Sequence, residues 1–161
     1  MKPPVKNTTA GRLNWRTGEL LSLRLLIGGV LAYAGFMKAV APAAEFAAVI
    51  QTYHLIPPVW AMPMANALPW IEMWVGTFLI FGYATPLSAA GAAALFAGFF
   101  AALSSVILRR LDLASCGCFG PESLSPKHSL VIDGVLLLLT LLLIPLSRKV
   151  RFYSLDSWLD R

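Results

Sequence analysis

Four long apolar stretches constrain this chain more than anything else in it. They run approximately Leu20–Ala41, Val59–Gly82, Pro86–Leu108 and Ser129–Leu146, and roughly 20 apolar residues in a helix cross the hydrocarbon core of a bilayer. A backbone in lipid must satisfy its own hydrogen bonds, which leaves helices and closed barrels. These runs are too long for barrel strands and lack their alternation, so each predicts a helix. The hydrophobic share, 58% of 161 residues, exceeds the roughly half that a soluble domain carries. The expected fold is all-α: one polytopic domain, a four-transmembrane-helix bundle.

A net charge of +5 would point to nucleic acid in a soluble protein. Here the charges flank the spans, so positive-inside bias accounts for them and no nucleic acid is expected. Four spans put both termini on one side, which then carries Lys2, Lys6, Arg12, Arg16, Arg24, Arg148, Lys149, Arg151 and Arg161, 9 of the 13 Lys and Arg. Lys38, Arg109, Arg110 and Lys127, the other 4, fall on the opposite side. The expected location is the cell inner membrane, with both ends cytoplasmic and the connection between the last two spans facing the periplasm. The first apolar run is longer than a signal core, and Phe36-Met37-Lys38 is no small-residue cleavage site, so the first helix is expected to stay. Residues 1–18 read as a flexible cytoplasmic lead, 19–147 as the membrane domain and 148–161 as a cytoplasmic tail.

Between the first two spans, Phe46, Val49, Ile50 and Tyr53 share one helical face. They predict a short amphipathic helix over Ala43–Tyr53, lying on the outer surface or capping the bundle. Trp60, Trp70 and Trp74 are expected in the outer half of the second span and Tyr83 at its inner end, matching the interfacial preference of these rings. The short turn Gly82–Pro86 makes spans two and three a hairpin. Ala90, Ala94, Gly98 and Ala102 recur every four residues, a small-residue ridge that predicts close helix packing in lipid. The leucines of the fourth span read as lipid-facing or core filler.

The connection between the third and fourth spans holds both cysteines of the chain, Cys116 and Cys118. Thiolate is the reactive form of cysteine, and cations raise its population; Arg109 and Arg110 lie upstream and Lys127 downstream. A disulfide spanning one residue closes a small ring, so it is expected to be strained and comparatively reducible. Gly117 and Gly120 supply backbone freedom, and Phe119 completes the motif. A static staple or an inert thiol pair is the alternative. Zinc is not expected, since a closed site takes four ligands and only His54 and His128 could add imidazoles. His128 is either the base for the thiols or a solvated residue at a helix start.

Glu72, inside the second span, and Lys38, near the outer end of the first, are costly in lipid. They are expected to meet as a structural ion pair or as part of a proton-transferring pocket. Asp133 is read in the first turn of the fourth span, where an acid suits the helix dipole. Arg24 is expected to snorkel at the cytoplasmic mouth of the first span.

Together these pieces resemble the MauE family of methylamine utilisation membrane proteins, within the DoxX-like group. The residues that carry the resemblance are Ala34-Gly35-Phe36-Met37-Lys38, Tyr53-His54-Leu55-Ile56-Pro57, Pro69-Trp70-Ile71-Glu72, Cys116-Gly117-Cys118-Phe119-Gly120 and Asp133, across residues 20–146. The resemblance implies a role in extracytoplasmic redox maturation. In methylamine users it implies production of the disulfide-rich light subunit of methylamine dehydrogenase beside a membrane-anchored thioredoxin-like partner. Three readings stay open. The first is an accessory thiol–disulfide oxidoreductase that uses Cys116 and Cys118. The second is an enzyme passing thiol electrons to a membrane quinone, with Lys38, Glu72 and the tryptophans around it. The third is a non-catalytic subunit or scaffold of a membrane redox complex.

Overall fold

The computed structural model describes residues 8–110 and 126–149, with side chains from 18 to 110 and from 127 to 146. It contains helices α1 (Thr8–Val40), α2 (Ala43–Thr52), α3 (Pro58–Phe81), α4 (Thr85–Leu108) and α5 (Pro126–Lys149), with no strand among the described residues. Among the described residues, four segments are long and apolar enough to cross a membrane: Gly18–Val40, Pro58–Phe81, Thr85–Leu108 and Lys127–Leu146. Each coincides with an expected span, and α2 is the expected short helix.

Helix α1 begins at Thr8, so part of the basic lead is helical rather than without structure. No proline follows Pro4 in that stretch, and extending an existing helix adds a hydrogen bond per residue without a new nucleation cost. Helix α3 starts where Pro58 occupies its first turn, the place where a missing N–H costs nothing. It stops at Gly82, left-handed at φ 70°, a conformation glycine adopts without a Cβ clash. With Ala84 also at positive φ, the chain reverses in three residues into α4.

The helices associate mainly as α1 with α3 and α4 with α5, while the α3–α4 hairpin is a looser contact. The main core joins all four spans through Leu20, Ile27 and Leu31 of α1, Leu79 of α3, Phe96 of α4, and Leu136 and Leu143 of α5. The leucines of α5 therefore divide: Leu136 and Leu143 are buried, whereas Leu138, Leu141 and Leu142 face outward.

The close approach in the bundle is not where the small-residue ridge of α4 predicts it. A Cβ on Gly28 would lie 2.7 Å from the Gly76 carbonyl oxygen, one on Gly76 would lie 2.6 Å from the Gly28 carbonyl oxygen, and one on Gly35 would lie 2.6 Å from that of Pro69. Backbone therefore meets backbone along the α1–α3 seam. On α4, Ala90, Ala94 and Gly98 are exposed, and nothing lies within 4 Å of a Cβ built on Gly98. The α4 contacts are made one residue off the ridge, by Ala89, Ala92, Ala93 and Phe96. Spacing alone identifies such a row but not the direction it faces.

The same seam sets the height of the helices. Gly28 lies against Gly76 and Gly35 against Pro69 and Glu72, so α3 runs on past the end of α1. Ala61 and Ala65, on that overhang, pack with Phe46, Ala47 and Ile50 of α2. Helix α2 thus caps the bundle by its apolar face rather than lying free on a surface.

Candidate functional site

The α1–α3 seam carries the Lys38–Glu72 pair into the interior. Gly35 lets α1 close on α3, with its missing Cβ 3.0 Å from Glu72 Cβ, and one turn later Lys38 reaches the carboxylate. Lys38 Nζ donates to Glu72 Oε1 at 3.0 Å and to Oε2 at 2.8 Å. Both side chains are buried, at 2% and 0% exposure. The ammonium also lies 5.8 Å from the Phe46 ring centroid and 5.2 Å from that of Phe99, within the reach of a cation–π attraction. The expected ion pair is present, beneath α2 rather than at an open helix end. Phe99 is the partner that sequence reasoning did not find; its neighbours in a uniformly apolar run give it no distinguishing mark.

Beside the ammonium opens a cavity of about 330 Å³. Its lining comes from α1 to α4 and includes Lys38, Phe46, Tyr53, Leu68 and Phe99. Leu55, Met64, Ala94 and Gly98 also line it and are themselves exposed, so they edge its mouth. The small residues of α4 make room for a cavity instead of a helix contact. Trp60, Trp70 and Trp74 stand outward at 60%, 58% and 59% exposure and do not line the cavity. Trp74 also belongs to the other end of α3 from Trp60, where its ring meets Phe78 and Phe78 meets Tyr83. Sixteen residues of helix separate Trp74 from Pro58, about 24 Å at the helical rise, too far for one interfacial belt.

Two further charges differ from expectation. Asp133 is buried at 2% exposure and lies seven residues into α5, two turns in. The helix-dipole account fails there, because that effect fades within the first turn. The helix begins earlier than the apolar run because Pro126 suits its first turn. Asp133 shares an inward stripe with Ser129, Leu136 and Thr140, all buried; the spacing 129, 133, 136, 140 is the one-face signature in the sequence that would have revealed it. Arg24 does not snorkel. It is buried, donates from Nε to the Leu79 carbonyl oxygen at 3.2 Å, and its guanidinium fills the space a Cβ would take on Gly82. A cation on the last carbonyls of α3 offsets the negative end of that helix.

Arg109 and Arg110 end α4, exposed, with Arg110 at φ 52°, and His128 is exposed at the start of α5. They flank the connection between these helices. Cys116, Gly117, Cys118, Phe119 and Gly120 lie in it, outside the described residues. No group of His, Cys, Asp or Glu suited to a metal ion occurs among the described residues.

Four membrane-length apolar helices, a short capping helix and a buried ion pair beside an apolar cavity define a multi-pass helical membrane protein. The model of the family described as methylamine utilisation protein MauE matches residues 17–146, most of the chain, and the chain belongs to that family. No curated protein and no solved structure matches it.

Proposed function

We propose that this membrane protein supports extracytoplasmic thiol–disulfide chemistry through Cys116 and Cys118, and through it the maturation of a disulfide-containing partner. In a methylamine user that partner would be the light subunit of methylamine dehydrogenase, with a thioredoxin-like protein beside it. The observation that carries the reading is membership of the MauE family in a chain whose two cysteines stand one residue apart. Supporting it, α4 and α5 leave that connection with Arg109, Arg110, Lys127 and His128 at its borders, and cations favour thiolate. The charge distribution, 9 Lys and Arg on the terminal side against 4 on the other, favours an inner-membrane protein with cytoplasmic ends and a periplasmic connection.

In the exchange, a thiolate attacks a disulfide sulfur of the partner molecule, displacing its second sulfur and forming a mixed disulfide. The remaining thiol then attacks that bond. Two electrons and two protons pass from dithiol to disulfide, in either direction. Replacing Cys118 or Cys116 with Ser leaves the second attack undone. Cys118→Ser or Cys116→Ser in native membranes is therefore expected to accumulate a reducible adduct, absent when both are Ser. Recovering none from either variant, with the double Ser variant fully functional, would transfer the assignment to a scaffold role.

A further inference from the structure

We infer that the cavity lined by α1 to α4 is a binding site for a neutral, lipid-soluble molecule with an oxygen-bearing flat ring, the membrane-quinone class. The inference stands on the cavity alone and does not depend on the cysteines.

Donor capacity, charge, shape and size choose the ligand. Lys38 carries three N–H donors, and Glu72 takes hydrogen bonds from it through both carboxylate oxygens. That leaves donor capacity on an ammonium that itself lines the cavity, where an acceptor oxygen would meet it. The pair as a whole is neutral, so an anionic head such as a fatty-acid carboxylate or phosphate would bring an uncompensated charge into a water-poor site. A ring carbonyl would not.

The aromatic walls add shape. Phe46 and Phe99 are neighbours of the ammonium, and Tyr53 joins them in the lining; aromatic faces suit a flat ring better than a bare acyl chain. Size and access complete the match. A cavity of about 330 Å³ sits at the small end of ligand pockets, roughly 300 to 1,000 Å³. It has room for a ring head and the start of a tail, which can leave past exposed Leu55, Met64, Ala94 and Gly98 into lipid.

The test uses the full chain in nanodiscs and decylubiquinone as the probe, followed by calorimetry or equilibrium dialysis. Saturable binding of one probe per chain is expected, with oleate unable to displace it. Gly98→Leu would fill the mouth from a site where an added side chain meets open space. It is expected to weaken binding at least tenfold while leaving helix content and thermal midpoint unchanged. The double variant Cys116→Ser, Cys118→Ser is expected to bind as the native chain does, which separates this site from the thiol reading. No saturable binding, equal binding by a folded Gly98→Leu, or displacement by oleate at comparable concentration would overturn the inference.

Discussion

At the scale of single residues, the buried Lys38–Glu72 pair has a large energetic consequence. Removing one member of a buried pair strands the other, which typically costs about 3 to 5 kcal/mol, whereas replacing both by apolar groups is often close to neutral. Lys38→Met and Glu72→Leu are each expected to lower stability markedly. The double variant is expected to recover much of the loss in a denaturation series in detergent; a double-variant loss equal to the sum of the single losses would mean the two do not act as a pair. Arg24 makes a second test. Gly82→Ala forces a Cβ at φ 70° into the space held by the guanidinium and is expected to cost at least about 1 kcal/mol, more than Gly18→Ala, where nothing lies within 4 Å. Both buried cations were visible in the sequence as charges inside apolar runs. Their partners were legible only for Lys38, because Glu72 is itself an oddity in its span. Arg24 is held by the Leu79 carbonyl, and a backbone acceptor leaves no trace in sequence.

At the scale of helices, the α1–α3 seam and the α4 ridge make opposite predictions. Gly76→Ala drives a Cβ to 2.6 Å from the Gly28 carbonyl oxygen and 2.7 Å from the Ala32 nitrogen. Backbone atoms yield only by moving the helix, so a loss of about 1 to 3 kcal/mol is expected. Gly98→Ala meets nothing and should leave stability unchanged or raise it by up to about 1 kcal/mol through helix propensity. Thermal unfolding of the two variants side by side checks this; the reverse order would restore the ridge as the packing surface. The elements themselves were plainly written in the sequence, since long apolar runs ended by Pro57-Pro58, Gly82 and Pro126 fix both number and type. Direction was not. A four-residue row of small side chains satisfies a helix contact and a cavity wall equally well, and only the placement of Phe46, Leu68 and Phe99 around it decides between them.

At the scale of the whole molecule, the four spans, the short helix between the first two and the two opposite charges inside them were legible in the sequence; that the helix caps the bundle was one of two open readings, and the cavity was not legible, because it is made by residues from four helices. The height of α3 above α1 joins these facts. The overhang gives α2 something to pack on, α2 closes over Lys38, and the space left beside α4 becomes a site. Gly134, on α5, sets a would-be Cβ 3.2 Å from the Phe100 ring, so α5 begins beside the far end of α4, the end that carries Phe99. The connection bearing Cys116 and Cys118 therefore departs from the end of the bundle that holds the cavity and the cap. Which face of the membrane that end meets decides whether the thiols reach an oxidising compartment. Labelling of Cys116 and Cys118 in intact, reduced cells with a membrane-impermeant maleimide measures it directly: modification before lysis is expected, and thiols that react only after the membrane is broken would overturn the periplasmic assignment and the redox role with it.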